Sequence, residues 1–144
     1  MDTMRNKLFM AWAASRWLLL MFLFTPALQA PLVARPSERI KPLKVWEGKA
    51  SWYGSRFQGR KTASGEIYNM HAPTAAHLSL PFGSLVRLVY PRTGKSQIVR
   101  INDRGPFVEG RELDVSAHTA VRLGMQDRGV ARLRIELLEV PKRR

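Results

Sequence analysis

From Val130 to Leu137 the chain alternates with period two: Val130, Arg132, Arg134 and Glu136 face one way, Ala131, Leu133, Ile135 and Leu137 the other. That is the pattern of a half-buried strand. Gly48-Lys49-Ala50-Ser51-Trp52-Tyr53 predicts a first strand. Ser84 to Tyr90 follows the turn Leu80-Pro81-Phe82-Gly83, and Pro91 to Lys95 turns the chain back into Ser96 to Ile101. The pair reads as a hairpin. One stretch has helical spacing instead: Ser116 is suited to an N-cap, Ala117, Ala120 and Val121 make an apolar stripe, and Gly124 is suited to end it. The expected fold is mainly β. Six or so strands in so short a chain leave edges that must be hidden, which predicts a closed barrel with one or two short helices.

The N-terminus does not belong to that domain. Arg5, Lys7 and Arg16 precede the apolar run Trp17 to Phe24, and Pro26 leads to the small-residue end Ala27-Leu28-Gln29-Ala30. Residues 1–30 therefore read as a secretory signal peptide, the apolar run being shorter than the roughly 20 residues a membrane span needs. Residues 31–47, with Pro31, Pro36 and Pro42 among basic residues, read as a linker. The globular unit is expected over 48–140, with a basic tail at 141–144. Export to the periplasm or cell envelope follows, with no stable membrane anchor expected after cleavage.

Composition narrows the partners. Of the 144 residues none is cysteine, so an exported domain is held by its core without disulfides. The net charge is +13; the first thirty residues hold three cations against Asp2, net +2, which leaves +11 on the rest. Such a balance favours an anionic polymer, and export disfavours nucleic acid. The three histidines, His71, His77 and His118, have no pair at i, i+4 spacing, so no metal site and no cofactor is expected.

The candidate chemistry rests on carboxylates. In Arg100-Ile101-Asn102-Asp103-Arg104-Gly105-Pro106-Phe107 an apolar strand breaks at Gly-Pro, placing Asp103 and Arg104 at a strand end, where binding and catalytic side chains concentrate. Thr62-Ala63-Ser64-Gly65-Glu66 is a polar loop ending in a carboxylate, with Tyr68 just beyond it. Asp114 precedes the helix, and His77 lies on a short apolar segment before the Pro81 turn. Taken singly, each has a structural explanation: a turn-forming Asp, an exposed loop Glu, a core-edge His, an acid near a helix N-terminus. There is no Gly-x-Ser-x-Gly elbow and no thiol, which leaves acid/base work by Glu66, Asp103 and Asp114. Cleaving a glycosidic bond needs such a set. Trp52, Tyr53, Phe57 and Tyr68 could offer flat faces to sugar rings.

Six segments in this order, Ala50-Ser51-Trp52-Tyr53-Gly54, Phe57 to Glu66, Ala75-Ala76-His77, Leu80-Pro81-Phe82-Gly83, Asn102 to Phe107 and Leu113-Asp114-Val115-Ser116, resemble the rare lipoprotein A (RlpA) family of septal lytic transglycosylases. The resemblance covers about residues 48 to 140. It implies a six-stranded double-psi β-barrel and endolytic, non-hydrolytic cleavage of peptidoglycan glycan between N-acetylmuramic acid and N-acetylglucosamine, leaving 1,6-anhydro ends, with a preference for peptide-poor strands. Carried over by position, Asp103 and Glu66 match the acids associated with activity and His77 a supporting histidine. Asp114 matches the acid used by the related barrels of membrane-bound transglycosylase A and expansins. The reading assigns acid/base work to Asp103 or Asp114, a positioning role to Glu66, and substrate contacts to Tyr53, Thr62, Tyr68 and Arg104.

Family members commonly carry a lipid-bearing cysteine and a C-terminal SPOR domain, neither of which is found in this sequence, so the resemblance leaves septal targeting and outer-membrane anchoring open. Ser64 stands where Asn is more usual and Val115 where Leu or Ile is. The alternative reading is an expansin-like module that binds or loosens glycan without cleaving it.

Overall fold

The computed structural model describes residues 40–142. The expected signal peptide and most of the expected linker lie outside the described residues. Six strands, β1 Lys44–Tyr53, β2 Thr74–His77, β3 Leu85–Tyr90, β4 Lys95–Asp103, β5 Leu113–Ser116 and β6 Val130–Glu139, close into a barrel in the order β1-β5-β2-β4-β3-β6. Two of the six seams, β1 with β5 and β2 with β4, are parallel. This is the double-psi β-barrel that the sequence motifs imply.

The alternating strands fill the barrel as their pattern predicts. Ala50, Ala75, Val86, Leu88, Val99, Ile101, Leu113, Val115, Leu133 and Ile135 point inward and are buried. The hairpin of β3 and β4 turns at Pro91 to Gly94, where Gly94 takes φ +67. The helix α1, Ala117–Leu123, begins at Ser116, whose hydroxyl accepts from the Thr119 N–H, and ends at Gly124 in the left-handed conformation. Both caps lie where the sequence put them. The buried face differs: Thr119, Ala120 and Leu123 face the core and Val121 is exposed, because so short a helix turns only one row of side chains toward the barrel.

Two further differences share one cause. β1 starts at Lys44, not Gly48, with Lys44 to Glu47 paired to β6. Glu136, expected on the solvent face of β6, is 4% exposed. Residues 40 to 43 run beside this part of β6, with Leu43 N–H donating to Leu137 O, and Arg87, the register partner of Glu136, donates to Ile40 O. Arg87 Nε lies 2.5 Å and Arg134 Nη2 2.9 Å from the Glu136 carboxylate, so the buried charge is paired on two sides.

Candidate active site

The acids come together through strand register. The ladder between β2 and β4 pairs Ala75 with Ile101 and then Ala76 with Asp103, so β4 carries one extra residue, Asn102, at a bulge. In an unbroken strand Asp103 would lie on the same side as Ile101, in the core. The bulge re-aims it to the outer face beside Ala76, the kind of work bulges do near active sites. On the other side of Ala76 stands Asp114, whose next neighbour on β1 is Ser51. Asp103, Ala76, Asp114 and Ser51 thus form one row across four strands, and the two acids stand two strand spacings apart, about 10 Å between backbones.

Each acid is held by one oxygen. Asp103 Oδ1 accepts from the Ala63 and Arg104 N–H groups, each at 2.8 Å. Asp114 Oδ1 accepts from the Ser51 hydroxyl, which itself accepts from Arg111 Nη1 at 3.0 Å. Among the described residues neither Oδ2 has a hydrogen-bond partner. Both acids keep an oxygen for a ligand.

Tyr53, on β1, lies close enough to both acids to feel their charge. Burial, then the neighbouring Tyr68, Asp103 and Asp114, push its phenol above the usual tyrosine range, and its buried hydroxyl has no partner among the described residues. Tyr68 supports it from below, ring centroids 4.6 Å apart, with its own hydroxyl donating to Tyr53 O. At 2% exposure Tyr68 presents no face to a ligand. Phe57 meets Tyr53 edge-on at 5.8 Å, whereas Trp52 packs on the core and donates its ring N–H to Gln126 O.

Glu66 is committed to a clamp. Arg100 binds it with two donors, at 2.6 and 2.8 Å, and Asn102 Nδ2 adds a third at 3.3 Å. The Arg100 hydrogen bonds hold its carboxyl below its ordinary value. A carboxylate bound through both oxygens does not donate a proton; it ties the 62–66 loop to β4. Thr62 is buried within that loop, its hydroxyl bonded to Ser64 and to Glu66 O. The same loop supplies the Ala63 N–H that holds Asp103.

His77 and Arg104 organise the connection from β2 to β3. His77 Nδ1 accepts from the Ser79 and Leu80 N–H groups, so the neutral ring carries its proton on Nε2, 3.8 Å from Glu112. Burial pushes its pKa down. Arg104 lies with its guanidinium 3.7 Å over the Phe82 ring and donates to His77 O and Leu80 O. It meets the Asp103 carboxylate through its backbone N–H and the Asp103 carbonyl through Nη1, with no side-chain ion pair between the two. Gly105, at φ +134, lets the chain leave β4 over Ala76 and leaves Phe107 83% exposed beside the row.

Sequence reasoning gave no role to Ser51, Arg100, Asn102 or Arg111. Arg100 and Asn102 were legible as alternate positions on one strand leading to Asp103. Ser51 and Arg111 meet only through the parallel seam of β1 and β5, which no local pattern announces.

A family model described as lytic transglycolase matches residues 45–135. The chain is 50% identical over 95 residues to the endolytic peptidoglycan transglycosylase RlpA of Vibrio cholerae, covering 66% of this chain and 36% of that protein. It is 57% identical over 91 residues to the probable RlpA of Treponema pallidum, covering 63% and 29% respectively. The chain thus spans about a third of the length of these curated relatives. Among solved structures, it superposes on a Streptomyces papain inhibitor with TM-score 0.55 at 20% identity, over 69% of this chain and 99% of that one. It also superposes on a mutant Clavibacter michiganensis expansin in complex with cellohexaose, with TM-score 0.55 at 18% identity, over 70% and 54%. These two establish likeness of fold.

Proposed function

This chain belongs to the RlpA family of lytic transglycosylases, and from that premise we propose that it cleaves peptidoglycan glycan strands endolytically, between N-acetylmuramic acid and N-acetylglucosamine, without water. The observation that carries the proposal is the pair Asp103 and Asp114, set on one face by the bulge, each with one oxygen fixed and one open.

The reaction needs a proton delivered to the glycosidic oxygen as its bond to the muramic C1 breaks, and a proton removed from the muramic 6-hydroxyl as that oxygen closes on C1. One bond breaks, one forms, and the proton moves from one oxygen to the other with no net consumption. A carboxyl group that donates and then accepts performs both steps. Asp103 and Asp114 supply the acid/base pair, and the carboxylate not carrying the proton stabilises the cation that develops at C1. Tyr53, near both, contributes its unpartnered hydroxyl to the sugar. Glu66, Thr62 and His77 act through position: Glu66 and Thr62 fix the loop whose N–H orients Asp103, and His77 fixes the turn that holds Arg104. Exposed Phe107 and the basic surface favour an extended anionic glycan. The relatives' activity on peptidoglycan also favours action in the cell envelope, after export to the periplasm by the leader read at residues 1–30.

Mass spectrometry of peptide-free glycan strands after incubation tests the reading. Release of muramic ends lighter by one water than hydrolytic ends is the expected result. Reducing ends would make the protein a hydrolase, and intact strands that still bind it would make it a glycan-binding module.

A further inference from the structure

We propose that Arg111 is the specificity residue of this cleft and that it binds the free lactyl carboxylate of the muramic acid residue. The inference rests on the glycan reading above.

Three arginines surround the acids. Arg100 is bound through two donors to Glu66, and Arg104 is spent on three carbonyls and the Phe82 ring. Arg111 differs. Its Nη1 donates to the neutral Ser51 hydroxyl at 3.0 Å, and among the described residues its side chain has no other hydrogen bond and no carboxylate within ion-pair distance. Of five N–H donors, four remain for a ligand. Through Ser51 the guanidinium is one hydroxyl away from Asp114 Oδ1, so it sits at the acid row with no direct anionic partner and is partly shielded from water.

A guanidinium fork fits a planar carboxylate, and one bonded directly only to a neutral hydroxyl keeps its donors for a ligand that brings a carboxylate. The proposed substrate brings one to this place. Muramic acid carries a lactyl ether on O3, two carbons from the C1 at which the bond breaks. Where a stem peptide is attached, that carboxyl is an amide and has no charge. Arg111 therefore distinguishes glycan with free lactyl groups from glycan that bears peptides. Arg111 is a direct substrate contact, and its bond to Ser51 couples occupancy of the carboxylate site to the orientation of Asp114.

Binding to two preparations of the same glycan tests this: peptide-free strands with free lactyl carboxylates, and the same strands after conversion of those groups to methylamides. Measurements are made in about 0.15 M salt, where diffuse attraction to the basic surface is screened. The protein is expected to bind the free acid about tenfold more tightly than the amide. Arg111→Gln reduces that ratio to within about twofold, Arg111→Lys keeps part of it, and Arg92→Gln, on the exposed β3–β4 turn, leaves it unchanged. Equal binding of both preparations by the unaltered protein would overturn the proposal, as would an Arg111→Gln protein that keeps the full ratio. A variant that binds both forms more weakly by the same factor would also overturn it, since Arg111 would then be a positioning residue only. Anhydro-end release is scored separately: discrimination without cleavage counts against the reaction and leaves the Arg111 contact standing.

Discussion

Asp103 and Asp114 are register partners of the same residue, Ala76, one on each side of β2. The acids stand on consecutive strands, β4 and β5, that do not pair with each other, and β2 lies between them. The relationship depends on Asn102, the extra residue of β4, without which Asp103 would share the inward face of Ile101.

If the two acids act as a unit, Asp103→Asn and Asp114→Asn each lower anhydro-end release by about a hundredfold or more. The double variant is then scarcely slower than the worse single one, because groups that serve one proton transfer are not additive. Rates of release from peptide-free glycan decide. Undiminished release by Asp103→Asn would remove Asp103 from the mechanism.

The Glu66–Arg100 clamp makes a different prediction. The pair is about two-fifths exposed on both sides, so breaking it has a small effect on stability, about 1 kcal/mol or less. Its role lies in the loop that orients Asp103. Arg100→Gln is expected to leave the melting temperature nearly unchanged while lowering kcat about tenfold at an unaltered pH optimum. A shifted optimum would mean that Glu66 itself titrates in the reaction.

Most of the barrel was legible in the chain. The alternation of β6, the hairpin of β3 and β4, and both caps of α1 are local patterns, and the structure follows them. The site was legible as residue types at loop and strand ends, but not as partnerships. Ser51 meets Asp114 across the seam of β1 and β5, and Ala63 meets Asp103 and Glu66 meets Arg100 because the 62–66 loop folds back on β4, all contacts between residues distant in sequence. Tyr68 reads as an aromatic face for a sugar and is instead the buried support of Tyr53, since burial depends on what packs above a residue rather than on its type. Residues 44 to 47 read as linker because Pro42 and the surrounding charges masked the alternation that continues into β1.

His77 gives the fold a pH dependence whose sign is fixed by its burial. Its neutral ring accepts two N–H groups at Nδ1, and burial opposes protonation; Glu112 favours the charged ring, while Arg104 and Lys44 oppose it. With the folded pKa below the ordinary 6.5, the native state binds fewer protons than the unfolded chain as pH falls. The contribution to stability is complete above about 6.5 and is lost as pH falls through the folded value. His77→Asn, which keeps an acceptor and removes the titration, is expected to show a shallower fall in melting temperature between about pH 7 and 5. Parallel profiles for the two proteins would show that the imidazole does not carry the effect.

Glu136 is expected to dominate the stability of the β3–β6 seam. Its carboxylate is 4% exposed and bound by Arg87 and Arg134, with Arg87 also reaching Ile40 O across the segment that covers it. Glu136→Gln keeps the shape and removes the charge at a site where the Glu136 carboxylate and the Arg87 side chain are both largely shielded from water. Removing one member of a buried ion pair costs about 3 kcal/mol or more, which for a domain of this size lowers the melting temperature by more than about 10 °C. The exposed pair of Arg132 and Glu47, 3.6 Å apart on the same sheet, provides the control: Arg132→Gln should change stability by no more than about 0.5 kcal/mol. Thermal unfolding of the two variants measures the difference. Equal, small shifts would mean that water reaches Glu136 and that residues 40 to 43 do not seal the seam.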